Sequence, residues 1–214
     1  MNKKNDFYDR NKKGSLFDKI APFYGLFYNI QKRNFKKVLN EAESKLNLAE
    51  YKTIIDIGCG TGALTSVFNE KGFDVTGIDM SQKMLNKAIS KQENKSINFI
   101  SVSVLEGLPF EDKSFDVSIA SYVAHGLKYD DRKILYSEMS RVSKELVIIH
   151  DYNKNRAALT DFIEWLEGGD YFNFIKSAEE EMKYHFQNVK IINVRQRAAL
   201  YICTPESILI GTKQ

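Results

Sequence analysis

Cysteine, proline and long apolar runs are all scarce in this chain of 214 residues. Its two cysteines, Cys59 and Cys203, stand far apart in sequence, which argues against a disulfide framework and against a zinc site. No apolar run approaches the ~20 residues that a membrane-spanning helix needs, and no segment resembles a signal peptide. We therefore expect free thiols, no metal site, no membrane span and a cytoplasmic location.

A large excess of charge is also lacking, because the formal net charge is only +3 and the lysines are spread along the chain. This distribution predicts no obligatory nucleic-acid partner and leaves a monomer and a homodimer equally open. Residues 1–14 are polar and basic without apolar periodicity, and we expect them to form a flexible N-terminal arm.

The rest of the chain, residues 15–214, is predicted to form one α/β domain. From residue 52, short β-branched runs alternate with amphipathic segments, which is typical of a parallel sheet covered by helices on both faces. Residues 15–48 and 152–187 have helical, aromatic-rich patterns and are predicted to form a helical cap. The predicted strands are 52–57, 73–78, 97–102, 115–121, 145–150 and 189–194. A last antiparallel strand is predicted at either 199–203 or 208–211. The helices predicted between the strands are 62–70, 81–93 and 130–142.

The glycine-rich segment that ends the first predicted strand is the strongest functional signal. Three alternating glycines, Gly58, Gly60 and Gly62, follow the apolar run 54–57 and precede an apolar helix. Glycine accepts positive φ and lets the backbone approach a ligand, while a helix N-terminus offers unpaired N–H donors. This arrangement predicts a nucleotide-like cofactor.

An acid at the end of the second predicted strand supports this interpretation. Asp79 follows Gly58 by about twenty residues, the spacing at which a strand-end carboxylate accepts the hydroxyls of a ribose. The alternative is that Asp79 only forms the turn before Ser81. Because Gly58, Gly60 and Ala63 also satisfy the dinucleotide fingerprint, the loop alone does not exclude NAD.

Two further motifs help to decide between NAD and another nucleotide-like cofactor. Asp56 precedes the glycines, and the segment 108–116 reads LPFEDKSFD immediately ahead of the fourth predicted strand. With these motifs the chain resembles the class I S-adenosylmethionine-dependent methyltransferases, and residues 17–24, FDKIAPFY, are similar to the start of ubiquinone/menaquinone-type enzymes. The resemblance implies a Rossmann-like fold with a mostly parallel seven-stranded sheet and an antiparallel C-terminal strand.

The resemblance also implies roles for individual residues in binding S-adenosylmethionine. Asp79 would hold the ribose hydroxyls, Asp56 would orient the loop, and Met80 and Leu105 would contact the adenine. Further cofactor-binding positions are Gly58, Cys59, Gly60, Gly62 and Ser121. Val104 is a departure, since relatives commonly carry there an acid that accepts the adenine amine.

The acceptor chemistry is less well specified by the sequence. Methyl transfer is an in-line displacement that depends on alignment, and a base is needed only where the acceptor must lose a proton. The candidate catalytic residues are His125, His150 and Tyr24, and the aromatic content favours an apolar or aromatic small-molecule acceptor. The alternatives are a non-catalytic S-adenosylmethionine-binding sensor and an NAD-dependent oxidoreductase.

Overall fold

The computed structural model describes residues 27–155 and 169–205. The predicted N-terminal arm, Tyr24 and the alternative last strand at 208–211 lie outside these residues. Contacts divide the chain into two compact units, the first ending at Leu108 and the second beginning at Pro109. The prediction of one domain with a helical cap from both ends of the chain stays a prediction.

The first unit contains three parallel strands, with β2 paired to both β1 and β3. Residues 27–42 form the helix α1 and are followed by turns. The other elements in chain order are β1 (Thr53–Ile57), α2 (Ala63–Glu70), β2 (Asp74–Asp79), α3 (Gln82–Ile89) and β3 (Asn98–Ser101).

Helix α3 begins where the sequence predicts, but it ends early. The Ser81 hydroxyl accepts a hydrogen bond from the Met84 backbone N–H at 3.3 Å, which is an N-cap. The predicted helix extended to residue 93, whereas the observed helix ends at Ile89 and a 3-10 turn follows at Gln92–Asn94. The Asn94 side chain donates to the Ala88 carbonyl at 3.0 Å and thereby satisfies one of the carbonyls that a helix end leaves open.

The second unit contains four strands in the order β4, β5, β7, β6. Strands β4 and β5 are parallel, and β7 is antiparallel to both β5 and β6. The elements are β4 (Phe115–Ser121), α4 (Tyr129–Val142), β5 (Ser143–Tyr152), α5 (Tyr171–His185), β6 (Val189–Val194) and β7 (Ala198–Cys203). The last strand is therefore the first of the two predicted alternatives.

Seven strands, parallel except for the antiparallel C-terminal β7, confirm the predicted fold class. The apolar faces that form the core are those that the β-branched runs indicate, such as Ile54, Ile55, Val147 and Ile148, all fully buried. Within the described ranges, no helix combines the length and the hydrophobicity that crossing a bilayer requires.

Candidate functional site

The glycine loop between β1 and α2 has the backbone conformation that only glycine adopts easily. Gly58, Gly60 and Gly62 have φ values of 72°, 55° and 76°. The backbone N–H groups of Gly58 and Cys59 donate to the Ile78 carbonyl at 2.8 and 2.9 Å. These bonds hold the loop across the end of β2, which brings the first and second strand ends together.

Two of these glycines serve different purposes. A Cβ atom at Gly62 would lie 3.0 Å from both the Ala88 Cβ and the Phe99 Cζ, so this position is closed by packing within the unit. A Cβ atom at Gly60 would meet no protein atom within 4 Å. The space beside the Gly60 backbone is therefore open, as the approach of a cofactor to bare peptide requires.

Asp79 ties the end of β2 to this loop. Its Oδ2 atom accepts a hydrogen bond from the Gly60 N–H at 2.8 Å, and its Oδ1 atom accepts one from the Ser81 N–H at 2.8 Å. Asp79 therefore forms the turn before Ser81 and also reaches the glycine loop. The neighbouring Met80 side chain is exposed.

Asp56 is fully buried at the end of β1 and accepts a 2.6 Å hydrogen bond from the Thr65 hydroxyl of α2. The pKa of Asp56 is raised to about 7, mainly by burial and further by the nearby charge of Asp79, against the opposing effect of the Thr65 bond. The contact joins β1 to α2 across the loop. The loop-orienting role that the resemblance implies for Asp56 stays a prediction.

Cys59 lies inside the loop but is not prepared for nucleophilic chemistry. Burial of its thiol, together with the charges of Asp56 and Asp79, raises the pKa of Cys59 well above its usual value. The thiolate is the reactive form, so the thiol is kept inert. Burial likewise raises the pKa of Cys203 in β7 to about 12, and both cysteines are free thiols.

The segment that would face the adenine forms a short 3-10 turn, Val104–Glu106. The backbone N–H of Leu105 donates a hydrogen bond to the Ser103 hydroxyl at 3.3 Å. The Val104 side chain offers no hydrogen-bond acceptor at the position where the resemblance implies an acid. Ser103 therefore caps this turn.

In the second unit, the ends of β4 and β5 bring together Ser121 and His150. The Ser121 Oγ lies 2.8 Å from the His150 Nδ1. Complete burial lowers the pKa of His150 to about 4, because a charged imidazole is costly away from water. His150 is therefore neutral at physiological pH and a weak proton acceptor.

His125 has a different environment in the short turn Ala124–Gly126 between β4 and α4. Its Nδ1 atom lies 2.8 Å from Asp151 Oδ1, and its backbone N–H donates to Asp151 Oδ2 at 3.2 Å. Oδ1 also accepts from the Tyr152 N–H at 2.8 Å. Asp151 is fully buried and is used on both of its oxygens.

Tyrosine rings surround these histidines. The His125 ring centroid lies 4.9 Å from that of Tyr152, 6.3 Å from that of Tyr122 and 6.4 Å from that of Tyr171. The Tyr122 ring lies 4.8 Å from His150. Tyr122 also has a φ of 56°, a left-handed backbone conformation that is strained for a bulky residue.

Asp151 is the site residue that sequence reasoning missed as a partner for His125. It stands next to His150 in β5, and adjacent strand residues point to opposite faces. The two neighbours therefore contact different partners, Ser121 for His150 and His125 for Asp151. The alternation of side chains along β5 indicates that His150 and Asp151 face different partners. It does not indicate that the partner of Asp151 is His125, 26 positions earlier in the chain.

Comparisons with known proteins indicate which family this chain resembles. Residues 55–149 match a family described as "Methyltransferase domain". The chain is 26% identical over 183 residues to an uncharacterized methyltransferase of Staphylococcus carnosus, which covers 83% of this chain and 86% of that protein. It is 30% identical over 134 residues to a demethylmenaquinone methyltransferase of Paenarthrobacter aurescens, which covers 61% of this chain and 50% of that protein.

A solved structure supports the fold. A SAM-dependent methyltransferase from Thermotoga maritima, described as a possible histamine N-methyltransferase, matches with a TM-score of 0.68 at 14% identity. The match covers 90% of this chain and 99% of that one. These matches support neither the sensor nor the oxidoreductase alternative. The chain matches a methyltransferase-domain family over residues 55–149 and is similar to the quinone-methyltransferase branch, and these matches support an enzyme that takes S-adenosylmethionine as its cofactor.

Proposed function

We propose that this enzyme transfers a methyl group to a small aromatic acceptor bound at the histidine and tyrosine cluster of the second unit. One observation carries the proposal. Tyr122 is 41% exposed and has strained backbone immediately after β4, at the carboxyl end of a strand parallel to β5. Ligands of open α/β sheets bind outside the carboxyl ends of the strands, and backbone strain concentrates at functional sites.

The aromatic nature of the acceptor follows from the rings at this place. Tyr122 and Tyr152 pack edge to face with centroids 5.1 Å apart, and both flank His125. Aromatic pairs prefer such geometry, so an aromatic acceptor would extend the cluster favourably. The name of the Paenarthrobacter aurescens relative, a demethylmenaquinone methyltransferase, is consistent with a small-molecule acceptor.

We further propose that the glycine loop and Asp79 hold the cofactor. The open space beside Gly60 accommodates a ligand against bare backbone, and the Asp79 carboxylate lies at its edge. When bound, S-adenosylmethionine supplies the methyl group. Asp56 acts indirectly by fixing α2 behind the loop. Met80 and Leu105 contact the adenine. The other proposed cofactor-binding positions are Gly58, Cys59, Gly62 and Ser121.

Calorimetry with S-adenosylmethionine tests the cofactor site. Asp79→Asn should weaken binding about 10- to 100-fold, since a hydrogen bond to a charged group contributes ~1.5–3 kcal/mol. Asp74→Asn is the matched control, because Asp74 is exposed at the opposite end of the same strand. Equal affinities of the two variants, or preferential binding of NAD to the native protein, would contradict the proposed site.

Methylation assays test the acceptor. The purified protein is incubated with methyl-labelled S-adenosylmethionine and a panel of phenols, catechols and hydroxynaphthoquinones, with tRNA and a protein mixture in parallel. Label should appear in one of the aromatic small molecules, with S-adenosylhomocysteine formed in equal amount. Label found only in the RNA or the protein fraction would refute a small aromatic acceptor.

A further inference from the structure

The second unit holds one histidine as a hydrogen-bonded dyad with a buried carboxylate. The His125 Nδ1 and the His125 backbone N–H both contact Asp151, at 2.8 and 3.2 Å. The carboxylate therefore fixes the rotation of the ring and also the position of its backbone. A carboxylate partner at Nδ1 requires Nδ1 to carry the proton, so the neutral ring is left with Nε2 as its basic nitrogen.

The backbone that carries His125 is anchored from its other side as well. The Asp170 N–H donates to the His125 carbonyl at 3.1 Å, and the Arg132 guanidinium donates to the Leu127 carbonyl. Arg132 also bonds the Asp170 carboxylate at 2.8 Å. Asp170 thus holds the turn at His125 and Arg132 holds the chain just after it at Leu127, and these two anchoring residues form an ion pair with each other.

His150 does not have these properties, although it lies in the same cluster. Its Nδ1 faces a serine hydroxyl and not a carboxylate, and its exposure is 2%, against 7% for the likewise buried His125. A serine hydroxyl can either donate or accept, so it does not select one tautomer of the ring. The two histidines that the sequence offered as catalytic candidates are therefore not equivalent.

We propose that His125 is the general base of this methyltransferase and that Asp151 is its positioning residue. The inference rests on the proposed function and adds that the acceptor reacts through a hydroxyl group. Nε2 of His125 takes the hydroxyl proton while the oxygen lone pair forms a bond to the methyl carbon. The bond from that carbon to sulfur breaks, its electron pair stays on the sulfur of S-adenosylhomocysteine, and the imidazolium releases the proton to water.

Nitrogen-15 NMR of the histidine rings tests the dyad without any acceptor. The chain has three histidines, so one variant for each assigns the spectrum. We expect the Nδ1 atom of His125 to carry a proton, and Asp151→Asn to remove this tautomer preference of the neutral ring. Asp112→Asn, which alters an exposed partner of Arg141, is the matched control and should leave the signals unchanged. A proton on Nε2 in the native protein would overturn the proposal.

Kinetics with the phenol panel provide the second test. His125→Gln should lower kcat/KM by about 10²- to 10⁴-fold, and Asp151→Asn by at least about tenfold, while cofactor affinity by calorimetry stays native. The loss in His125→Gln should shrink with 4-nitrophenol, which ionises without help, relative to phenol. Native turnover in His125→Gln would overturn the dyad and leave the proposed function intact. Where the panel gives no turnover at all, the proposed acceptor class fails, and the tautomer measurement still decides the dyad.

Discussion

Arg132 and Glu181 form a two-pronged ion pair in the second unit, with the Arg132 Nε and Nη2 atoms each 2.7 Å from a separate carboxylate oxygen of Glu181. Both side chains are buried. The Glu181 oxygens also accept from the hydroxyls of Tyr136 and Ser177 at 3.2 and 2.5 Å. The pair joins α4 to α5, and its polar atoms are well supplied with partners, which is the condition under which a buried ion pair is tolerated.

Removing one charge from this pair should destabilise the protein strongly. Glu181→Gln keeps the shape of the side chain but leaves the buried Arg132 guanidinium with Asp170 as its one remaining ion-pair partner among the described residues. We expect the free energy of unfolding to fall by about 3–5 kcal/mol, measured by urea denaturation. Glu180→Gln is the control on the same helix, because Glu180 is exposed. A loss no larger in Glu181→Gln than in Glu180→Gln would show that the pair contributes little.

Alanine at the two loop glycines should separate folding from binding. Gly62→Ala forces positive φ on alanine and overlaps Ala88 and Phe99, so we expect a loss of about 2–5 kcal/mol in unfolding free energy. Gly60→Ala meets no protein atom and should lose only about 1–2 kcal/mol from its backbone conformation.

Measurements of cofactor affinity then distinguish Gly60, which lies beside the open space, from Gly72, which lies elsewhere. Gly60→Ala should weaken S-adenosylmethionine binding in calorimetry, because its methyl group enters the space that the cofactor would use. Gly72→Ala also has positive φ and open surroundings but lies beyond α2, and it should bind normally. Unchanged affinity in Gly60→Ala would place the cofactor elsewhere.

Restoring the missing adenine acceptor should improve cofactor binding. Val104→Asp introduces a carboxylate where the resemblance implies an acid, and one added hydrogen bond is worth ~1 kcal/mol, or about fivefold in affinity. Val104→Asn is a useful companion, since its amide oxygen also accepts. Calorimetry with S-adenosylmethionine measures both variants. If neither binds more tightly than the native protein, the alignment of residues 104–110 with the family motif is wrong.

Two buried groups should give opposite pH dependences of stability. The pKa of Asp56 is raised to about 7, above its ordinary value of ~3.9, so its contribution is present at acidic pH and is lost as pH rises towards 7. The pKa of His150 is lowered to about 4, below its ordinary value of ~6.5, so its contribution is present above that value and is lost as pH falls towards 4.

Single variants should reveal the two effects between about pH 4.5 and 6.5, the window that both shifts share. In urea denaturation, the unfolding free energy of Asp56→Asn should rise with pH more steeply than that of the native protein. His150→Gln should show the opposite change in slope. Parallel pH curves for Asp56→Asn and the native protein would mean that Asp56 is ionised in the folded state.

Local physical rules made much of the first unit predictable. Strand ends, the glycine loop, the Ser81 cap and the placement of Asp79 all follow from interactions between residues close in sequence or within one strand–loop–helix–strand unit. The extent of α3 was predicted less well, because Asn94 ends that helix through a side-chain bond that periodicity does not encode.

The sequence by itself determined the α/β class, the glycine loop and its strand-end acid, since backbone conformation and hydrophobic alternation are properties of short segments. Only the tertiary structure decided that Asp151 serves His125, that His150 pairs with Ser121, and that Arg132 meets Glu181 across 49 positions. Those pairings depend on strand register and helix packing, which bring together side chains that no local pattern connects.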